Sequence, residues 1–507
     1  MSFFSTRGGA CVTASQAILY GLASDGGLYV PAMFPQISRQ KLSELAQMNY
    51  CQRASAILRT YLEDFTIPEI DAALEAAYAP AKFDDPAVAP LRKLNDNTHV
   101  LELFHGPTLA FKDMALQLLP HLTTLSARKN GEEREVSILV ATSGDTGKAA
   151  LEGFKDVPGT SCTVFFPTDG VSDVQKLQMT TTGGDNTHVI AINGNFDDAQ
   201  TGVKNLFASE QFNADVNSRA KVLSSANSIN FGRLVPQIVY YFSAYADLMA
   251  SGAIHPGDAV NFVVPTGNFG NILAAYYARS MGLPIGKLIC ASNRNNVLTD
   301  FFATGTYDVR RQFFKTSSPS MDILISSNLE RLLFEVADRE GELIAQWMKL
   351  LKECGSYAVG EQRLEWLNSI FAAGYADDMQ TSEEIRTVFE QESYLMDTHT
   401  AVASHVLREY REKTGDQTIT VIVSTASPYK FAADVLSALK GKDAASGLDA
   451  FQCSEELEKV SGMPVPQQVK ELRELPVRHK AKCEKDGMAQ AVLDAFDSVT
   501  KVAEPLL

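Results

Sequence analysis

The strongest constraint on the fold lies between residues 137 and 291, where short apolar runs alternate with stretches of helical periodicity. Segments 137–141, 163–166, 188–192, 259–264 and 287–291 read as strands, and 147–154, 174–181, 197–207 and 271–281 as the helices between them. A strand that reaches the next strand through a helix returns parallel to it. The pattern therefore predicts an α/β molecule built on parallel sheets with helices on both faces.

The flanks differ. Residues 1 to about 95 read as a mainly helical N-terminal domain, with helical patterning in 39–48, 54–62 and 67–77 and a turn at Asp25-Gly26-Gly27. The Pro-rich, charged stretch 79–97 leads into a second region, 96–507, with a smaller α/β subdomain at roughly 113–245. Beyond residue 300, segments 329–351, 360–372 and 430–439 read as helices and 418–423 as a strand. The tail, 443–507, mixes charged helical stretches with Pro464, Pro466 and Pro476 and suggests no role.

A net charge of -16 argues against non-specific binding to nucleic acid or anionic membrane, since both need a basic surface. Anionic ligands must then be captured by local sites. Seven cysteines without a close pair fit neither a disulfide framework nor a metal ribbon, so a reducing compartment and no metal are expected. Residues 1–30 carry one early arginine, Arg7, and no unbroken apolar segment, and nothing elsewhere approaches a membrane-spanning run. A cytoplasmic protein is expected.

Four segments carry chemistry. In Leu103-Phe104-His105-Gly106-Pro107-Thr108-Leu109-Ala110-Phe111-Lys112-Asp113-Met114-Ala115, the lysine is flanked by apolar residues at the start of a helical run. Desolvation disfavours its ammonium form, as a Schiff-base lysine requires. In Thr142-Ser143-Gly144-Asp145-Thr146-Gly147-Lys148, hydroxyls and free amides meet at a helix start, with capping by Ser143 or Asp145 as the plainer reading. Thr142 and Ala149 stand where a Walker A motif needs Gly and Ser or Thr, so nucleotide hydrolysis is disfavoured.

In Pro265-Thr266-Gly267-Asn268-Phe269-Gly270-Asn271, two glycines let amides approach an anion, and a Cβ at Gly267 or Gly270 is expected to obstruct that approach. The fourth segment, Ser224-Ser225-Ala226-Asn227-Ser228-Ile229-Asn230-Phe231-Gly232-Arg233, ends in the side chain best suited to a phosphate or carboxylate fork.

Together these segments resemble the threonine synthases, pyridoxal-phosphate enzymes of fold type II related to the tryptophan synthase β chain. The resemblance runs from Tyr20-Gly21-Leu22-Ala23-Ser24-Asp25-Gly26-Gly27-Leu28-Tyr29-Val30-Pro31 to Ser424-Thr425-Ala426-Ser427-Pro428-Tyr429-Lys430-Phe431. It implies two parallel-sheet lobes and pyridoxal 5'-phosphate carried on Lys112. Gly267, Asn268, Phe269, Gly270 and Asn271 would hold the cofactor phosphate, and Thr425 would contact the pyridine nitrogen. Ser143, Asp145 and Thr146 would face the cofactor ring and substrate. Asn227, Ser228, Arg233 and Lys430 would bind the substrate's anionic groups.

Two departures stand out. Relatives read His-Pro-Ala-Lys-Phe where this chain has Ser427-Pro428-Tyr429-Lys430-Phe431, and Asp-Pro-His where it has Asp397-Thr398-His399. Any role for a histidine at 427 is void here.

The implied reaction converts O-phospho-L-homoserine and water into L-threonine and phosphate, in a monomer or homodimer. The alternatives are a related phospho-lyase that yields 2-oxobutyrate and a non-catalytic metabolite-binding protein.

Overall fold

The computed structural model describes residues 1–499 apart from Ser143, Asp169, Gly170 and Ser172. Two sheets organise the chain. The larger has the order Phe371–Tyr375, Ile285–Ser292, Val260–Pro265, Thr420–Ser424, Thr98–Glu102, Leu91–Asn95, parallel throughout except for its last, antiparallel edge pair. The smaller is wholly parallel, with the order Ala481–Cys483, Thr187–Ile192, Thr160–Pro167, Glu135–Ala141, Lys221–Ser224.

Central strands are buried on both faces, as parallel sheets covered by helices require: all eight residues of Thr160–Pro167 and all six of Val260–Pro265 are buried. The helix Phe231–Ala250 packs against Tyr50–Leu58 of the N-terminal region on one side and Gly270–Ser280 on the other. Phe231, Tyr240, Tyr241, Phe242 and Tyr245 are fully buried along it.

Two expectations are corrected. The stretch read as one helix over 329–351 is two, Leu329–Val336 and Gly341–Cys354. Between them Asp338 and Arg339 adopt φ of 50° and 66°, and the Arg339 guanidinium bonds Glu335 and the carbonyls of Pro31 and Ala32. That long-range anchor supports a backbone conformation that non-glycine residues seldom adopt.

The segment read as a helix over 360–372 ends at Ile370 and continues as the edge strand Phe371–Tyr375. Gly374 makes room there: a Cβ would lie 2.8 Å from Val406 Cγ1. The unassigned tail is structural. It contributes the edge strand Ala481–Cys483, and Met488, Val492, Leu493 and Phe496 of the helix Met488–Val499 pack with Leu139, Phe165 and Ile190 of the smaller sheet. Among the described residues no helix is long and apolar enough to cross a membrane.

Candidate active site

The segment leading to Lys112 is held along the end of strand Thr420–Ser424. Leu103 N donates to Ser424 O at 3.0 Å, Phe111 N to Thr425 O at 2.8 Å, and Ser427 N to Leu109 O at 3.0 Å. Buried Asp113 accepts from Thr108 N at 2.8 Å and Thr108 Oγ1 at 2.7 Å. Gly106 permits that contact, because a Cβ there would lie 2.6 Å from the Asp113 carboxylate. Lys112 then opens the short helix Lys112–Leu116.

Helix Asp145–Phe154 crosses this one at very close range, for a Cβ on Gly153 would fall 2.0 Å from the Leu116 carbonyl. Asp145 is thereby brought within 3.2 Å of Lys112 Nζ. Lys430 Nζ lies 3.0 Å from the other Asp145 oxygen and donates to Thr108 O at 2.8 Å. Ser320 Oγ donates to Asp145 Oδ2 at 3.1 Å and accepts from Lys112 Nζ at 3.3 Å; Gln175 Nε2 donates to Asp145 Oδ1 at 3.2 Å.

The electrostatics follow from burial. Desolvation pushes the Lys112 amine below its ordinary range despite Asp145, and the charges of Lys430 and Arg233 act in the same direction. Burial alone would raise the Asp145 carboxyl, but Lys430 and Lys112 outweigh it and hold the group well below the usual carboxylate range. The result is a buried carboxylate between two lysines, with the Lys112 amine held below its ordinary range by burial.

The alternative reading of Asp145 as a helix cap does not hold. Thr142 Oγ1 accepts from Gly144 N and Gly147 N, both at 3.0 Å, which frees the Asp145 carboxylate to face the lysines. Thr146 sits half-buried in the first turn of the same helix, and Ser143 lies outside the described residues. Lys430 makes its anion contact within the protein, to Asp145. Thr425 is buried beside the Lys112 segment, its carbonyl holding Phe111 N.

The second loop follows Val260–Pro265 and ends at the helix Gly270–Ser280. Phe269 takes φ of 64° at the helix entry, whereas neither Gly267 nor Gly270 has a positive φ. A Cβ on Gly267 would lie 2.8 Å from Ser320 O, and one on Gly270 would meet Asn328 at 3.4 Å. The expected obstruction at Gly267 thus falls first on the protein's own backbone. Asn268 O accepts from Asn328 N and Asn328 Nδ2, both at 3.1 Å. Asn271 Oδ1 accepts from Tyr240 and Tyr241 hydroxyls at 2.6 Å each, and its buried Nδ2 has no partner among the described residues.

Asn230 caps the helix Phe231–Ala250 by accepting from Gly232 N at 2.8 Å. Half-buried Asn227 and Ser228 lie in the turn before it. Arg233 donates from Nη1 to Ala226 O at 2.8 Å, while its buried Nε has no partner among the described residues. Burial lowers its guanidinium to about 10, and among the described residues no carboxylate pairs with it. A buried cation with a vacant donor fits an anionic ligand.

His105, at the start of the lysine segment, lies between Asp84 and Glu102, with Nε2 3.0 Å from Glu102 Oε2. Burial opposes its charge, but the two carboxylates prevail and raise it to about 9. A raised folded-state pKa means that stability is fully present below about pH 6.5 and is lost as pH rises through about 9. The expected contribution is about 2 kcal/mol. Urea midpoints at pH 6 and 9.5 should differ less in His105→Gln than in the parent protein; equal differences would remove the histidine from this role.

Sequence reasoning missed Ser320 and Gln175; His399, which the sequence left open as a structural hydrogen-bonding residue, makes such bonds, accepting from Ser320 N and facing Asp397. Ser320 stands in Ser317-Ser318-Pro319-Ser320, a stretch without periodicity, and it reaches Lys112 across 208 residues of chain. At the two departures, Thr398 Oγ1 donates to Ser317 O at 2.7 Å, and Ser427 Oγ accepts from Tyr429 N at 3.3 Å as a turn cap.

Comparison with known proteins gives the family. Residues 2–78 match the family described as threonine synthase N terminus, 87–425 the pyridoxal-phosphate dependent enzymes, and 400–486 the threonine synthase C-terminal family. Threonine synthase of Pseudomonas aeruginosa is 43% identical over 434 residues, covering 85% of this chain and 89% of its own. Human threonine synthase-like 1 is 42% identical over 440 residues, also covering 85% of this chain, but the match spans only 58% of the human protein's length. The structure of PLP-bound threonine synthase from Brucella melitensis superposes with a TM-score of 0.87 at 37% identity, covering 99% of this chain and 100% of that one. The chain belongs to the threonine synthase family of pyridoxal-phosphate-dependent enzymes.

Proposed function

We propose that this chain is a threonine synthase, converting O-phospho-L-homoserine and water into L-threonine and phosphate with pyridoxal 5'-phosphate held on Lys112. The observation that carries the reading is a desolvated amine with two separate sets of vacant anion donors in the same fold. One is the loop 267–271, at a helix N-terminus and with Asn271 Nδ2 unpartnered; the other is Arg233, with Nε unpartnered. A cofactor phosphate and a substrate phosphate need two such sets.

When bound, the cofactor supplies a conjugated sink for the electrons left at the substrate's α-carbon. Lys112 would anchor it, and the same Nζ, when free, would take the α-proton and later return one. The lowered basicity of Lys112 matches that work, since a base operates best near the ambient pH. Asp145, fixed by Lys430, keeps the amine oriented at 3.2 Å. In this reading Gly267, Asn268, Phe269, Gly270 and Asn271 hold the cofactor phosphate and Thr425 the ring nitrogen. Arg233, Asn227, Ser228 and Thr146 would take the substrate's anionic groups, holding the phosphate that leaves Cγ before water adds at Cβ. A cytoplasmic monomer or homodimer belongs to the same proposal.

Arg233→Ala should lower kcat/KM for O-phosphohomoserine roughly a hundredfold, the effect of losing a charge-assisted contact of about 2–3 kcal/mol. Cofactor absorbance should not change. A variant that loses its cofactor but keeps near-normal turnover on resupply would assign Arg233 to the other anion.

The function is tested by identifying the carbon product formed from O-phosphohomoserine by the purified protein. Threonine supports the proposal. Accumulation of 2-oxobutyrate indicates elimination without hydration at Cβ, and no turnover with cofactor bound indicates a binding protein.

A further inference from the structure

Ser320 joins three parts of the site. Its hydroxyl contacts Lys112 Nζ and Asp145 Oδ2, and its carbonyl backs onto Gly267. Its backbone N–H donates to His399 Nε2 at 3.2 Å, and His399 Nδ1 lies 2.7 Å from Asp397 Oδ2. Because Nε2 accepts, the ring proton sits on Nδ1, where the Asp397 carboxylate fixes that tautomer.

The support behind Ser320 is rigid. His399 and Asp397 are 2% and 0% exposed, and Asp397 also caps the helix Thr398–Thr414 by accepting from His399 N at 2.9 Å and Thr400 N at 3.1 Å. Ser320 itself lies in the short 3-10 turn Pro319–Met321, closed by Met321 N to Ser318 O at 3.0 Å and Asp322 N to Pro319 O at 3.2 Å, while its own N–H is held from outside the turn, by His399. The histidine therefore sets where the serine hydroxyl points.

We propose that Ser320 is a further catalytic residue at the reacting amine, and that His399 is a positioning residue that acts through it. This rests on the reading of Lys112 given above. With Lys112 neutral, the hydroxyl and Asp145 engage its N–H bonds and leave the lone pair free to face the α-proton. The proton taken from carbon stays on Nζ, and the resulting ammonium keeps both acceptors. No proton passes to the serine.

The test combines steady-state kinetics of the holoenzymes with hydrogen exchange of the cofactor-free protein over residues 316–324. Ser320→Ala and His399→Leu should each lower kcat about tenfold with KM changed less than about twofold, and the double variant should lose no more than either alone. His399→Gln, whose Oε1 can accept the Ser320 N–H, should stay within about threefold of the parent, whereas His399→Asn, which keeps only the donor to Asp397, should behave as the leucine variant.

The Ser320 amide should exchange at least about tenfold faster in the leucine and asparagine variants and not in the glutamine one. An additive loss of about a hundredfold in the double variant, or an amide still protected in His399→Leu, would overturn the proposal. If the leucine variant does not fold, the asparagine and glutamine pair carries the same contrast. If the parent holoenzyme makes no threonine, the functional reading fails, while the exchange measurement still decides whether His399 holds Ser320.

Discussion

Lys112→Ala is expected to lower turnover by at least about a thousandfold while the protein remains folded. The lysine is asked to anchor the cofactor and to move the α-proton, and no neighbour can do either. Lys430, the other lysine on Asp145, has a side chain only 2% exposed and is committed to Asp145 and to the Thr108 carbonyl. Folding should survive, because Asp145 keeps Lys430 as counter-charge and the desolvation penalty of Lys112 disappears with its charge. Lys112→Arg sharpens the test: a guanidinium preserves the ion pair but does not give up its proton, so its loss of activity should match that of alanine. Far-UV circular dichroism and urea midpoints check the fold, and product formation checks the chemistry. More than about one per cent of parental activity in the arginine variant would contradict the role.

Asp145→Asn should destabilise the cofactor-free protein by about 3 kcal/mol, within the range found when one member of a buried ion pair is removed. Lys112 and Lys430 would then face a neutral amide, with side chains 11% and 2% exposed and no other carboxylate within salt-bridge distance among the described residues. The protein's remedy is to deprotonate Lys112, which burial already favours, so the variant should bring the Lys112 amine to still lower pKa. Urea unfolding at pH 7 measures the first effect. An unchanged midpoint would mean that the pair contributes nothing to the fold.

Much of the architecture was legible because it rests on local patterns. Strands 160–167 and 260–265 carry the apolar runs Val164-Phe165-Phe166 and Phe262-Val263-Val264, and the helix after the second begins at a turn with two glycines. The site residues Lys112, Asp145 and Lys430 could be singled out from motifs, and the structure brings all three into contact. What escaped depends on distant partners. Phe371–Tyr375 contains Ala372, Ala373 and Gly374, weak strand formers whose pairing is imposed by the neighbouring Ile285–Ser292. The break at Asp338-Arg339 is held by carbonyls some 300 residues earlier, at Pro31 and Ala32. Ser320 and His399 gain their meaning only when the loop 316–322 and the start of helix Thr398–Thr414 converge on Lys112.

Borohydride reduction of the pyridoxal-phosphate-loaded protein, followed by peptide mapping, tests the central assignment most directly. Label confined to the peptide containing Lys112 is the expected result, since only that lysine combines a desolvated amine with contacts to both Asp145 and Ser320. Label on Lys148, Lys176 or Lys430, with Lys112 unmodified, would contradict it.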